Sequence, residues 1–210
     1  MKLIIFGATG GTGRQLVEQA IEQEYNVTAF ARSPEKIQLT NKRLEIVKGN
    51  VLDMASIENA MQSHDAVLCT LGVSNIMDKT KLRANGTANI ISAMEKMRIK
   101  RLICQSALGT GSSHVFLPFY YKCFLIPLFM KRLYKDHSIQ EKHIKNSKLE
   151  WTIVRPGILT NGRRTGVYKH GFTTDNKAAT VKISRADTAD FMLKQLTNNR
   201  YLYKTPCVAY

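Results

Sequence analysis

Acidic residues are few: 16 Asp and Glu stand against 31 Lys and Arg, a formal net charge of +15. The excess cations are spread along the chain rather than gathered into an arm or tail. No nucleic-acid recognition motif accompanies them, so no nucleic-acid partner is expected. The same charge favours phosphorylated small molecules by raising their local concentration. Cysteine is sparse and scattered. Cys69, Cys104, Cys123 and Cys207 form no Cys-x-x-Cys pair, and Cys and His together show no metal-ligand spacing, so no metal centre is expected. Cys69 and Cys104 fall inside apparent strands, where a buried thiol acts as a small hydrophobe. Internal repeats and low-complexity segments are missing. The most apolar stretch, 114–134, is too short and too broken by Pro118, Lys122, Pro127 and Lys131 to read as a membrane span. The run that opens the chain reads as a core strand rather than a signal peptide, so no leader is expected and a reducing cytoplasm is the expected compartment.

What remains is ordinary globular composition, 44% hydrophobic and 22% charged over 210 residues, enough for the core of one domain. Leu3-Ile4-Ile5 is apolar at every position, as suits a central parallel strand buried on both faces. Phe6-Gly7-Ala8-Thr9-Gly10-Gly11-Thr12-Gly13 follows at once, and Leu16, Val17, Ala20 and Ile21 then recur at helical spacing. Strand, glycine turn and helix in that order let the backbone approach a pyrophosphate, whose charge meets the free N–H groups of the helix N-terminus. A tight turn without a ligand has the same spacing.

Asn26 to Ala31 reads as the second strand and ends at Arg32-Ser33-Pro34. Folds that prefer NAD carry an acid here for the ribose hydroxyls. Arg32, Ser33 and Lys36 instead suit a 2′-phosphate and point to NADP, against the alternative of a solvated basic loop. Arg43 to Lys48 is the third strand, and Gly49-Asn50-Val51-Leu52-Asp53 turns into a helix around Ile57, Ala60 and Met61, with Asn50 placed to touch an adenine. Asp65 to Thr70 is the fourth strand, ending in Leu71-Gly72; a helix with Ala84, Ala88, Ile91 and Met94 precedes the fifth, Arg101 to Gln105. The alternation predicts an α/β fold with a doubly wound parallel sheet.

Ser106-Ala107-Leu108-Gly109 leaves the fifth strand at the carboxyl edge, where open α/β sheets bind ligands. The stretch 114–134 is read as a lid or wall over a hydrophobic pocket, with core, dimer interface or membrane-surface contact as alternatives. His137, Gln140, Glu141 and Ile144 share one helix face. His137 is a candidate acid, with a solvent-facing histidine as the alternative. Leu149 to Arg155 is the sixth strand, closing at Pro156-Gly157, and 160–180 is a polar surface excursion. Ser184-Arg185-Ala186-Asp187 matches a capping box for a helix with Ala189, Met192, Leu193 and Leu196 inward, and Pro206 to Ala209 is a short last strand. On this reading everything after Ser106 elaborates the carboxyl edge. The chain is one domain, 1–210, with a small substrate-side lobe from excursions at 107–135 and 159–183.

These motifs resemble the atypical short-chain dehydrogenase/reductases, and within them the NAD(P)H-binding proteins related to biliverdin reductase B, or flavin reductase. The match rests on Gly7 to Gly13, Arg32, Gly49 to Leu52, Gln105-Ser106-Ala107, Trp151 to Gly157 and Ser184 to Ala189, nearly end to end. The resemblance implies an NAD(P)-binding Rossmann fold. It places the pyrophosphate on Gly7, Ala8, Thr9, Gly10, Gly11, Thr12 and Gly13, and the 2′-phosphate on Arg32. Asn50 and Val51 would flank the adenine, and Leu71 and Gly72 the ribose. Ser106, Gly157 and Ile158 would lie at the nicotinamide, with His137 on the substrate side. No Tyr is followed four residues later by Lys, so the usual acid–base pair of short-chain dehydrogenases is absent, and the family's histidine beside the nicotinamide corresponds to Gly157. The implied activity is NADPH-dependent reduction of flavins or similar planar conjugated acceptors. In these, stacking on the nicotinamide does most of the work, with Ser106 and His137 as candidate catalytic residues. Ser106 as a plain strand cap is the bland alternative. A rival reading is an NADP-binding redox sensor of the NmrA-like type, without turnover. The expected partner is a small planar acceptor, and the expected state is monomer or dimer.

Overall fold

In the computed structural model, which describes residues 1–73, 81–173, 178 and 180–210, β1 (Lys2–Phe6) runs through the middle of a sheet with a core on each face. Its side chains alternate between the two. Ile4 and Phe6 join Val67, Cys69, Leu102 and Trp151 on one side, while Leu3 and Ile5 join Val27, Ala29, Leu68 and Ile103 on the other. A strand with two buried faces has no position for polar residues, which is why the run is apolar throughout.

The chain continues through α1 (Gly11–Glu22), β2 (Asn26–Ala31), β3 (Leu44–Lys48), α2 (Met54–Met61), β4 (Ala66–Cys69), α3 (Leu82–Lys96) and β5 (Arg101–Gln105). A short 3₁₀ helix (Gly111–Phe116) and a π-helical segment (Tyr121–Met130) lead into α4 (Lys131–Lys145) and β6 (Glu150–Pro156). β7 (Ile158–Thr160), β8 (Lys169–His170), β9 (Lys182–Ser184), α5 (Arg185–Lys194) and β10 (Cys207–Ala209) complete it. The main sheet has the order β3-β2-β1-β4-β5-β6-β10-β8. Every pair is parallel except β10 with β8, and β7 pairs with β9 in a separate two-stranded sheet. Residues from α2, α3 and α4 fill one core and residues from α1 and α5 the other, so the sheet is doubly wound. Strand order reverses between β1 and β4, which opens a crevice beyond their carboxyl ends.

Two expectations change. The chain after Ser106 does more than decorate the carboxyl edge: β6 and β10 widen the sheet, and α4 and α5 cover its two faces. The polar segment 160–180 also contains β8, held by Val208↔His170 and Ala209↔Lys169, although residues 161–167 are all exposed as expected. Two-residue strands leave no periodic pattern to read. The capping box at α5 is half formed. Ser184 Oγ accepts from Asp187 N at 2.8 Å, but Ser184 N donates to the Tyr210 hydroxyl, which in turn donates to Asp187 at 2.6 Å. The Asp187 carboxylate instead accepts from Thr165 N and Gly166 N, both at 2.8 Å, pinning the exposed excursion to the helix.

Candidate functional site

The glycine turn is shaped by close backbone approach. Gly7 has φ +82°, and a Cβ there would fall 2.6 Å from the Thr70 carbonyl of the neighbouring strand end. A Cβ on Gly13 would fall 2.1 Å from the Gly7 carbonyl, so the first turn of α1 can lie this tightly on β1 only without side chains. Gly10 caps α1 in an extended conformation, and no acid occupies the first helical turn. The free N–H groups and positive end of the helix dipole therefore face the crevice unopposed. These are the features that fit a bound pyrophosphate.

The crevice is a cavity of about 640 Å³. Of the expected residues, Gly7, Thr9, Gly10, Gly11, Thr12, Arg32, Ser33, Lys36, Val51, Leu71, Gly72, Ser106, Gly157 and His137 line it. Four do not. Ala8 is buried in the α1 core, and Gly13 is packed on Gly7. Asn50 is exposed, and its Oδ1 caps the local turn by accepting from Leu52 N at 3.1 Å. Ile158 lies in β7, where its N–H donates to the Val181 carbonyl at 2.7 Å.

Five cations line the cavity: Arg14, Arg32, Lys36, Arg83 and Arg185. No carboxylate does so among the described residues. Arg32 is exposed and has no ion-pair partner among those residues. Arg185, from the first residue of α5, lies across Gly11 and donates to Asn161 Oδ1 at 2.7 Å. Arg83, from α3, is paired with Asp136 of α4 at 3.6 Å. Sequence reasoning missed Arg14, Arg83 and Arg185. Each sits in a helix whose local pattern says nothing about what lies across the crevice.

Just beyond the carboxyl end of β5, Ser106 is 2% exposed, and its hydroxyl donates to Glu141 Oε1 at 2.8 Å. Arg155 from β6 grips the same carboxylate at 2.8 and 2.6 Å, and Lys145 is its third partner at 3.1 Å. Burial pushes the Glu141 carboxyl up, but the hydrogen bonds and charge of Arg155, with Ser106 and Lys145, outweigh it and hold the carboxyl below its usual range. Glu141 is therefore an anion, and the Ser106 proton is committed to it. Toward the cavity Ser106 presents lone pairs.

His137 corrects the solvent-facing alternative, being 6% exposed. The helix face that carries it also carries Gln140, Glu141 and Ile144, and all four are buried. Gln140 donates to Thr87 Oγ1 at 3.0 Å, fixing the face against α3. Burial first, and then the charge of Arg83, lowers His137 from 6.5 to about 3, so it is a neutral imidazole at physiological pH.

Gly157 carries no side chain for a steric reason: a Cβ would meet the Val181 carbonyl at 2.4 Å. The stretch 114–134 stands apart from the crevice. No residue of 114–134 lines this cavity. Val115 and Phe116 border a separate hollow of about 440 Å³ with Arg155, Phe172, Tyr201 and Cys207. Among the described residues no helix is long and apolar enough to cross a membrane, and no His, Cys, Asp and Glu cluster forms a metal site.

A doubly wound sheet with a glycine turn and a cationic crevice at its switch point defines an NAD(P)-binding oxidoreductase-type fold of the Rossmann class. The family model described as NAD(P)H-binding matches residues 7–199, and the chain belongs to that family. A chloroplastic protein of Arabidopsis thaliana is 31% identical over 176 residues, covering 79% of this chain and 61% of its own length. Among solved structures, ChuY, an anaerobillin reductase from Escherichia coli O157:H7, superimposes with TM-score 0.80 at 21% identity, over 100% of this chain and 97% of its own. A short-chain dehydrogenase/reductase from Veillonella parvula, solved in complex with NADP, gives TM-score 0.81 at 16% identity, over 100% and 94%.

Proposed function

We propose that this chain binds NADPH in the crevice and reduces a planar conjugated acceptor, a flavin or a molecule like it, by direct hydride transfer. The observation that carries this reading is the cavity lined by five cations and no described carboxylate, with Arg32, Ser33 and Lys36 clustered at the end of β2. In an NAD-preferring site that position holds an acid; here a 2′-phosphate finds two charges and a hydroxyl. Gly7, Thr9, Gly10, Gly11 and Thr12 hold the pyrophosphate, with Arg185 over the turn. Val51, Leu71 and Gly72 line the adenine and ribose side, and Ser106 and Gly157 the nicotinamide side. The bound nucleotide supplies the hydride, and the acceptor draws its proton from water. Ser106 then positions rather than protonates, accepting a hydrogen bond from the cofactor amide, and neutral His137 is a hydrogen-bonding wall rather than an imidazolium acid. ChuY's description as a reductase is in keeping with this chemistry. The cytoplasm stays the proposed compartment, in accord with four cysteines that are all free thiols.

The commitment of Ser106 to Glu141 and the neutrality of His137 also favour a second reading, an NmrA-like NADP sensor without turnover. Purified protein mixed with NADPH and FMN or riboflavin decides between them. Loss of nicotinamide absorbance is the expected result, and tight NADPH binding with no oxidation across flavins, quinones and tetrapyrroles points to the sensor. Arg32→Ala should weaken NADPH by about ten- to a hundredfold, the worth of a charge-assisted contact, and leave NADH within about twofold. Equal losses for both nucleotides remove Arg32 from the 2′-phosphate.

A further inference from the structure

Half of the large exposed hydrophobic residues among those described lie in one short segment: Val115, Phe119, Tyr120, Phe124, Leu128 and Phe129, six of twelve. Single exposed apolar residues are normal on a surface; a group of this kind marks a contact. The exposure is large, 74% for Phe119 and 69% for both Leu128 and Phe129. The π-helical segment Tyr121–Met130 groups them, because i→i+5 pairing brings residues about five apart together. Phe119 and Phe124 meet edge to face at 6.5 Å, and Phe129 follows at the same interval. None of these residues serves the nucleotide cavity.

The surroundings say what the patch faces. Between Glu95 and Asp136 the sequence has no Asp or Glu. Lys131, Arg132 and Lys135 follow the aromatic segment directly, are exposed, and have no ion-pair partner among the described residues. A second copy docking by a two-fold axis would set these cations against themselves. A nucleic acid would leave Leu128 and the aliphatic part of the segment unused. An anionic lipid surface satisfies both halves, with acyl chains for Phe124, Leu128 and Phe129 and headgroup phosphates for Lys131, Arg132 and Lys135.

We infer that residues 115–135 form a docking surface for anionic membranes, by which the protein lies on a bilayer without crossing it. α4 begins where the aromatic segment ends, supplies His137 to the cavity lining and holds the lining residue Arg83 through Asp136, so the docked face adjoins the cavity wall. The inference stands apart from the reductase reading, since it needs no turnover.

The test is co-sedimentation with vesicles of phosphatidylcholine alone and of phosphatidylcholine mixed with phosphatidylglycerol. The protein should pellet with the anionic vesicles and not the neutral ones, and rising salt should release it. The exposed triple change Phe124→Ser, Leu128→Ser, Phe129→Ser and the pair Lys131→Gln, Arg132→Gln should each lower vesicle affinity by about tenfold or more. NADPH affinity, unchanged in both variants, reports intact folding. Equal pelleting of the native and substituted chains overturns the inference. So does failure to bind vesicles, including the case in which light scattering finds a dimer that the serine variant converts to monomer, which would make the patch a subunit contact.

Discussion

His137 and Glu141 sit one helical turn apart on α4 and answer to burial in opposite ways. His137 is held neutral by burial and the nearby Arg83 guanidinium, down to about 3 from 6.5. Glu141 is held charged because Arg155, itself 2% exposed, meets both carboxylate oxygens. Linkage turns the histidine into a prediction. Between about pH 6.5 and 3 the unfolded chain binds a proton at His137 that the folded chain refuses, so stability falls as pH falls through that window. The slope from this one group approaches about 1.4 kcal/mol per pH unit. Denaturant titrations at several pH values should show this loss in the native chain and a flatter curve for His137→Gln; parallel curves would show that His137 titrates freely. Glu141, with its folded-state carboxyl lowered, contributes above the ordinary carboxylate value of 4.5, and that contribution is lost only on further acidification. Which of these residues are buried was not legible in the sequence. The i, i+3, i+4, i+7 spacing defines the face, but a face holding His, Gln and Glu looks like a solvent face until Arg155 and Thr87 arrive from other elements to satisfy it.

At the scale of elements, the site depends on helices bracing one another. The first residues of α3 have no side-chain cap of their own, since Lys81 precedes them in a left-handed conformation. Asp136 of α4 supplies the cap from across the interface, accepting from Arg83 N at 3.2 Å and Ala84 N at 3.0 Å while pairing with the Arg83 side chain. Both side chains are about nine-tenths buried. Asp136→Ala should therefore cost about 2–3 kcal/mol, a lost cap plus a buried guanidinium short of a partner. It should also lower Tm by roughly 2–4 °C for each kcal/mol in a chain of this size. NADPH affinity should drop as well, because Arg83 lines the cavity. Calorimetry and nucleotide titration on the same variant check both effects, and a stable variant with native affinity would show that α3 is capped by other means. The sequence named both helices but not their contact, since a cap between helices leaves no local spacing. The same holds for Asp187, which has the right position for a capping box and a different employer.

For the whole molecule, the charge of +15 has a direction. Five of the cations face one cavity and others flank an aromatic surface, so positive charge gathers where a dinucleotide or an anionic surface would sit. Raising ionic strength from about 0.1 M to about 1 M shortens the screening length from ~10 Å to ~3 Å. NADPH binding should weaken roughly three- to tenfold over that range, and NADH, without the 2′-phosphate, should weaken less. Equal salt dependence for both would place the basic cluster of β2 away from the ligand.

The sequence by itself determined the doubly wound parallel sheet and the cofactor class. Continuous apolar runs, the glycine turn and the loss of an acid after β2 are local signals, and each follows from backbone sterics or burial on two faces. The tertiary structure decided the rest. It buried His137, tied Ser106 to Glu141, brought Arg83, Arg14 and Arg185 to the crevice, and left Phe124 and Phe129 on the surface rather than over the cavity. Those outcomes depend on which helix faces which. Contact between elements distant in the chain is set by packing and by the pairing of buried charge, and neither is written in the spacing of neighbouring residues.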